Sequence, residues 1–153
     1  MRALKLAGKI LLLVAGVVAA LVVVALAVNF RRLLAFGAST GGPCNAEAPR
    51  LENDFWQKYG ARGLQVIGVN VEDEAARARR FRERHSLSYP VLLDVAGKAY
   101  YPFRRGDLAD ALVPADFVAT PFNLVIDRQG VVRYRGLGFE EAKIRALIEE
   151  LLG

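Results

Sequence analysis

Apolar positions along the chain recur with two different periods, and the order of those periods predicts the order of the elements. Short apolar runs of strand length alternate with stretches whose apolar residues recur every three to four positions, as on one face of a helix. The predicted strands are Arg32–Gly37, Leu64–Asn70, Tyr89–Asp94, Phe122–Asp127 and Val131–Arg135. The predicted helices are Cys44–Tyr59, Glu72–Arg84 and Phe139–Leu152, and we expect the stretch 96–117 to be irregular.

The order of these elements predicts an α/β domain with a mixed central sheet flanked by helices. Strands that alternate with helices run parallel through crossover connections, and the terminal β-β-α unit adds an antiparallel edge. The turn Asp127–Gly130 ends on glycine, which suits a type I turn into a hairpin. Pro49 falls inside the first helical stretch, and we expect it to kink that helix or to mark its first turn.

The N-terminal segment, residues 1–30, has a different composition from the rest of the chain. Ile10–Val28 is an uncharged run of 19 residues. A helix rises about 1.5 Å per residue, so this run just spans a hydrocarbon core of about 30 Å. We therefore predict a membrane anchor that contacts the bilayer through residues 9–29, followed by one domain over residues 31–153.

Charges beside this run predict its orientation. Basic residues lie on both sides of it: Arg2, Lys5 and Lys9 before, Arg31 and Arg32 after. The larger positive charge on the N-terminal side favours a cytoplasmic N-terminus and an extracytoplasmic domain, on the periplasmic or cell-surface side. Two alternatives stay open. One is a cleaved secretory signal, for which Ala25–Ala27 offers a cleavage site, and the other is a buried core helix.

Charge and cysteine content exclude several classes of function. The formal net charge is +5, from 21 basic and 16 acidic residues, and three of the basic residues lie in the N-terminal segment. The rest shows no basic stripe interleaved with aromatics, so we expect no nucleic-acid partner. Cys44 is the only cysteine, which excludes an intramolecular disulfide, a two-thiol active site within one chain and any cysteine-rich metal centre. We expect no metal and no cofactor.

Short motifs follow one another in a set order through residues 31–153. They are Phe36–Ser39, the triplet Gly42-Pro43-Cys44 with Glu47 and Pro49 behind it, the strand Val66–Asn70, the run Tyr89–Asp94, and Ala119–Asp127 with Gly130. In this order and spacing they resemble the thioredoxin-like superfamily, most closely its TlpA/ResA-like and AhpC/TSA (redoxin) branches. The resemblance implies a thioredoxin-like fold, thiol-disulfide oxidoreductase chemistry, and a protein or small-molecule thiol or disulfide as partner.

The resemblance also implies a substrate-binding role for Thr120 and Pro121. Pro121 matches the cis-proline beside the active site, and the backbone of Thr120 would pair with an extended segment of the substrate. From the residues alone, the favoured explanation of Pro121 is a proline that opens a strand, where it needs no ladder partner.

The active-site loop departs from the family pattern at the residue that matters most for the reaction. The redox motif W-C-x-P-C falls on Thr40, Gly41, Gly42, Pro43 and Cys44, so the attacking cysteine is replaced by Gly41. The standard mechanism needs two thiols, one to attack and one to release the mixed disulfide. Cys44 alone can form mixed disulfides or be oxidised, and an external thiol must then restore it.

Two other functions stay open at this point. The first is a non-catalytic binding module that keeps the proline groove but has lost redox turnover. The second is a one-Cys thiol peroxidase, favoured by the position of Cys44 in the first turn of a helix, where unpaired backbone N–H groups favour a thiolate. The peroxiredoxin motif is poorly matched, because Gly37 stands at its proline and its threonine is one position off.

Other candidate residues have both a functional and a structural interpretation. Glu47 matches a glutamate near the cysteines of ResA-like proteins, where it would oppose a thiolate by like-charge repulsion. The alternative interpretation is an acidic residue in the first turn that is favourable to the helix dipole. His85 is expected to be solvated. Phe55, Trp56 and Tyr59 are expected in the core. The aromatic cluster Tyr100–Phe103 either rims a substrate groove or packs beneath the irregular stretch.

Overall fold

A computed structural model describes residues 16–17, 30–104 and 119–153 of the chain. Gly16 and Val17 are helical, and the rest of the predicted membrane segment lies outside the described residues. Within the ranges that are described, no helix has both the length and the apolar character needed to cross a membrane.

The described residues form one five-stranded sheet with helices packed on it. The strands are β1 (Arg31–Gly37), β2 (Leu64–Val71), β3 (Val91–Asp94), β4 (Phe122–Ile126) and β5 (Val132–Leu137), in the spatial order β3-β2-β1-β4-β5. Strands β1, β2 and β3 are parallel, and β4 and β5 are antiparallel to their neighbours. This mixed α/β sheet is the one that the element order predicts.

The helices lie between these strands and after them. They are α1 (Gly42–Arg50), α2 (Gln57–Tyr59), α3 (Ala75–Arg84), α4 (Tyr100–Arg104) and α5 (Glu141–Leu152), with a π-helical turn at Leu51–Trp56 and a 3-10 turn at Gly60–Arg62. Helix α4 lies in the stretch that we expected to be irregular, so that expectation is wrong for its five residues.

Pro49 explains why the first helix changes its hydrogen bonding. Proline has no N–H, so one α-helical bond is missing inside α1. The helix continues as a π-helical turn from Leu51, and the N–H of Gln57 donates to the carbonyl of Glu52, five residues back. Phe55 and Tyr59 are thereby buried completely, while Trp56 is half-buried at the edge of the core.

The two faces of the sheet have separate hydrophobic cores. The larger core lies between the sheet and helices α1 and α5, and its fully buried members include Leu33, Val66, Phe55 and Ile148. The smaller core, on the other face, contains Phe36, Tyr100 and Phe122. The β4–β5 turn is closed by hydrogen bonds from Gln129 N and Val131 N to the Asp127 carboxylate, and Gly130 takes a φ of +83° there.

Topology places the site at one edge of the sheet. Gly37 ends β1 beside Asn70 near the end of β2, and Val71 pairs with Asp94 at the end of β3. The carboxyl ends of parallel strands meet at the same edge, which is where open α/β sheets carry their ligand sites. The loop into α1 starts from this edge and carries Thr40 to Cys44.

Candidate functional site

Cys44 lies in the first turn of α1 and is buried beneath the loop that precedes the helix. Gly41 is the N-cap residue, and Pro43 occupies a first-turn position where a missing N–H is harmless. Cys44 is a free thiol with 4% of its surface exposed. Burial at this level is unfavourable for a redox thiol, so any reaction needs a local route to the sulfur.

Two glycines lie directly against the sulfur. A Cβ placed on Gly41 would lie 3.1 Å from Sγ and 3.6 Å from Cβ of Cys44. A Cβ on Gly37 would lie 3.4 Å from the same Sγ, whereas one on Gly42 would meet nothing within 4 Å. A side chain at Gly41 would therefore press against the sulfur, and glycine avoids this contact.

The loop over Cys44 is held in place by buried polar groups that sequence reasoning missed. The Asp73 carboxylate accepts hydrogen bonds from Ser39 N at 2.7 Å and from Asn70 Nδ2 at 3.0 Å. The side chain of Asn45 donates to the carbonyls of Ser39 at 3.1 Å and Gly41 at 2.8 Å. The loop is therefore clamped from both sides.

A sequence signal for these residues existed. Asn70 is the last but one residue of β2, and Asp73 follows the strand. The carboxyl end of β2 lies at the edge of the sheet that carries the loop. Asn45 follows the cysteine directly. A search for polar residues at strand ends would have brought Asn70 and Asp73 into the predicted site.

His85 belongs to this clamp, so the expectation that it is solvated is wrong. It is half-buried, its ring packs edge-on against Phe81 with centroids 4.7 Å apart, and its Nε2 lies 2.8 Å from Asn45 Oδ1. Since the Asn45 nitrogen already donates to two carbonyls, Oδ1 is the acceptor and Nε2 carries the donated proton. Burial first, and the charge of Arg84 second, lower the pKa of His85.

Glu47 is buried one helical turn after Cys44. Its side chain is 3% exposed, and neither carboxylate oxygen has a hydrogen bond of standard geometry to any described residue. Burial raises the pKa of Glu47 to about 8, and the nearby Asn123 amide offsets a small part of that rise. The carboxyl is therefore largely protonated at neutral pH. Glu47 also lies beyond the first turn of α1, which has no acidic residue, so the helix-dipole interpretation does not apply.

Cys44, Glu47 and Pro121 line the same small cavity. It has a volume of about 40 Å³, enough for a few water molecules, and its other walls are mostly apolar, including Phe36, Leu51 and Tyr89. An outer groove of about 230 Å³ lies between Pro43, Glu47, Pro121 and Phe139. The fold thus brings Pro121 to the same cavity as Cys44 and Glu47, which lie more than 70 residues before it in the chain.

The segment before β4 is shaped by the second core. The Thr120–Pro121 peptide bond is cis, the geometry that the resemblance implies for this position. Tyr100 is fully buried, and its hydroxyl donates to the carbonyl of Ala119 at 2.7 Å. Of the two interpretations of the aromatic cluster, packing applies to Tyr100, which also supports the chain just before Thr120.

The described residues include no group of three or more histidine, cysteine, aspartate or glutamate side chains that could hold a metal ion. At the site itself the described residues bring together one thiol, one largely protonated carboxyl and the backbone around them. Thr40, Gly42 and Pro43 are exposed on the loop and on the first turn of α1, and Thr120 is half-buried.

Comparisons with known proteins agree with this geometry. The model of the Redoxin family matches residues 27–151. The thiol-disulfide oxidoreductase ResA of Geobacillus kaustophilus is 25% identical over 91 residues, which cover 60% of this chain and 45% of ResA. ResA of Halalkalibacterium halodurans is 33% identical over 52 residues, which cover 34% and 29% of the two chains. The aligned part is thus less than half the length of these curated relatives.

Solved structures are similar over more of the chain. A thiol:disulfide interchange protein DsbE from Chlorobium tepidum superposes with a TM-score of 0.66 at 28% identity, covering 82% of each chain. StoA from Bacillus subtilis superposes with a TM-score of 0.60 at 16% identity, covering 82% of this chain and 84% of StoA, and shows the fold alone. The sheet, the thiol at the start of α1 and the family match over 27–151 lead to one conclusion: the chain belongs to the Redoxin family, and it is similar to thiol-disulfide oxidoreductases of the ResA type.

Proposed function

We propose that this redoxin performs thiol–disulfide exchange with one thiol, Cys44. The observation that carries the proposal is the contact between Cys44 and Gly41, where a Cβ would lie 3.1 Å from the sulfur. In the family motif the attacking cysteine stands at this position. Because Gly41 has no side chain, we propose that a sulfur from outside the chain reaches Cys44 at this position.

The reaction balances as an exchange of sulfur partners. Cys44 loses its proton to solvent and attacks one sulfur of a partner disulfide. A bond forms between Sγ and that sulfur, the partner's own S–S bond breaks, and the second partner sulfur leaves as a thiolate with the electron pair. An external thiol then attacks the mixed disulfide and returns Cys44 to its reduced form. With no second cysteine in the chain, the mixed disulfide persists until that thiol arrives.

Glu47 is suited to handle a proton in this exchange. At neutral pH it is largely protonated because burial raises its pKa to about 8. A neutral carboxyl places no negative charge beside a Cys44 thiolate, and it can donate its proton to the departing thiolate. Above about pH 8 the ionised carboxylate would oppose the thiolate, as the like-charge interpretation predicts.

Pro121 and Thr120 are proposed to bind the partner. Pro121 shares a cavity with Cys44 and also lines the outer groove beside Pro43. A partner segment lying in that groove would pass close to the open side of the sulfur. The backbone of Thr120 would then hold it by strand addition.

The apolar run Ile10–Val28 supports a membrane-anchored, extracytoplasmic protein as part of the proposal. The run is long enough to span a bilayer, and its flanking charges favour export of the domain. Protease accessibility of the domain in intact cells and after disruption of the membrane measures this orientation. If the domain resists the protease in intact cells and is cut only after the cytoplasmic membrane is disrupted, the domain lies on the cytoplasmic side and this part of the proposal is wrong.

A direct test uses 2-hydroxyethyl disulfide, a small neutral disulfide, with the reduced full-length protein. We expect intact-mass spectrometry to show one adduct per chain, removed by added thiol and absent from Cys44→Ser. Absence of the adduct from the folded wild-type protein would contradict the proposal.

The second candidate, a non-catalytic binding module, is favoured by one observation, the 4% exposure of Cys44. Capture of a partner protein separates the two. A binding module retains the same partners after Cys44→Ser, whereas single-thiol exchange yields partners that are released by reductant and absent from that variant.

A further inference from the structure

Helix α3 presents a row of arginines to the loop that covers Cys44. Arg77, Arg80 and Arg84 are spaced three and four residues apart, which places them on one face of the helix. Together with Ser39, Thr40, Asn45 and Phe81 they line a cleft of about 430 Å³. This volume is within the range of ligand-binding clefts. The cleft therefore begins at the active-site loop and continues along a basic helix face.

The charge of this cleft is only partly neutralised by the protein. Arg77 lies 3.6 Å from the carboxylate of Asp73, which already accepts two hydrogen bonds from the loop region. Arg80 and Arg84 form no ion pair within ranges 30–104 and 119–153, and both are exposed. Glu74 and Glu83, the other acids of this segment, do not line the cleft. Two guanidinium groups thus remain available to an anionic ligand.

Shape distinguishes the cleft from a basic surface that is merely solvated. Phe81 forms an apolar wall, and Thr40, which is exposed, supplies a polar side chain at the end nearest the site. Arginine binds carboxylates through two parallel hydrogen bonds, so a concave row of them selects a ligand that carries acidic groups at intervals along its length. A flat lipid surface fits a concave cleft less well than a polypeptide segment does.

We propose that this cleft binds an acidic segment of a partner polypeptide, next to the cysteine that exchanges with Cys44. This inference rests on the proposed function for its biological meaning, since a chain whose sulfur lies over Gly41 has its neighbouring residues within reach of Thr40. The binding itself needs no thiol. The cleft thereby specifies a substrate class for the site, polypeptides with acidic residues near the reacting cysteine.

The test measures binding without the thiol, using full-length Cys44→Ser in detergent and a fluorescent, cysteine-free peptide of alternating glutamate and serine. We expect saturable binding that high salt abolishes and that a peptide with glutamine for glutamate lacks. Arg80→Glu with Arg84→Glu should weaken binding about tenfold or more. The control pair Arg79→Glu with Arg128→Glu makes the same change in net charge at exposed arginines outside the cleft, and should leave binding within about twofold.

Three outcomes would overturn the inference: no binding of the acidic peptide, equal loss in both variant pairs, or binding to vesicles that contain phosphatidylglycerol with none to the peptide. The last would assign the arginines to a membrane surface. The failure of the proposed function is separate, because it appears only in the reaction of wild-type Cys44 with a neutral disulfide. Binding that follows Arg80 and Arg84 supports the cleft whether or not the thiol reacts.

Discussion

Gly41 and Cys44 are spaced like the two cysteines of a disulfide, but only Cys44 carries a sulfur atom. The Cβ that Gly41 lacks would lie 3.6 Å from the Cβ of Cys44, inside the range that disulfides span, about 3.5–4.5 Å. The spacing of the two positions is therefore one that a disulfide can span, although Gly41 carries no sulfur. Single-thiol exchange through Cys44 is the chemistry that we propose for this arrangement.

The first prediction restores the missing sulfur. Gly41→Cys should form an intramolecular disulfide with Cys44 on mild oxidation, because the two Cβ atoms are already at bonding separation. The variant should also release its own mixed disulfides without an external thiol, which the wild-type chain cannot do. Thiol counting and mass spectrometry under denaturing conditions measure both.

Gly42→Cys is the matched control for that experiment. A Cβ on Gly42 meets nothing within 4 Å, so this second thiol should stay free under the same oxidation. Equal disulfide formation in the two variants would mean that the loop is too mobile for the distance to matter, and would contradict the described geometry.

The second prediction closes the open side of the sulfur. Gly41 has a φ of −73°, which alanine accepts without strain, but the new Cβ would lie 3.1 Å from Sγ. Gly41→Ala should therefore slow the reaction of Cys44 with small disulfides about tenfold or more, while Gly42→Ala leaves the rate near that of wild type. Pseudo-first-order rates of adduct formation, measured at one pH for wild type and both variants, test this prediction. Unchanged rates in both variants would show that partners approach from another side.

The third prediction concerns the buried carboxyl. In the unfolded chain Glu47 ionises near its ordinary pKa of 4.5, whereas in the folded chain it keeps its proton up to about pH 8. Unfolding releases a proton between these values, so the wild-type chain loses stability as the pH rises. Relative to Glu47→Gln, its free energy of unfolding should fall by about 1.4 kcal/mol per pH unit across this window and then level off.

Urea denaturation of both proteins at a series of pH values measures this difference. Glu47→Ser removes the carboxyl and part of the side chain. Its free energy of unfolding, compared with that of Glu47→Gln, gives the destabilisation that comes from lost side-chain volume and not from charge. Parallel curves for wild type and Glu47→Gln from pH 5 to 8 would mean that the folded carboxyl ionises normally.

The fourth prediction releases the loop. Asp73→Ala leaves Ser39 N and Asn70 Nδ2 without their buried acceptor. Such a loss costs about 1–3 kcal/mol of stability, and the freed loop should expose Cys44 and accelerate its alkylation. Glu74→Ala provides a control at a neighbouring exposed acid whose side chain makes no capping hydrogen bond. A destabilised protein with unchanged alkylation would mean that Asp73 supports the fold without limiting access to the sulfur.

Much of the fold follows from the sequence because its signals are local. Five short apolar runs and three helical patterns predict five strands in a mixed sheet, and Gly130 marks the hairpin turn. Helix α3 begins at Ala75, later than the pattern predicts, because Asp73 turns back to bind Ser39. This hydrogen bond joins residues 34 positions apart in the sequence, so the spacing of apolar residues does not predict it.

Part of the site also follows from local sequence signals. Cys44, Pro121 and Glu47 were found through motifs, and the structure brings them to one cavity. His85 was misjudged because its partner, Asn45, lies 40 residues away. The charged pattern of α3 identified a helix, but whether its arginines face solvent or a cleft depends on the loop opposite them. Such contacts between distant segments are properties of the packed chain.

The most direct test of single-thiol exchange compares Cys44 in the folded and the unfolded chain. Reduced protein is mixed with 2-hydroxyethyl disulfide under native conditions and in concentrated urea, and the rate of adduct formation is measured by mass spectrometry. We expect the folded protein to react by local access beside Gly41 at a rate well above that of global unfolding, and we expect Gly41→Ala to slow this reaction. A folded rate that falls to the rate of global unfolding would show that Cys44 is a structural residue and would contradict single-thiol exchange.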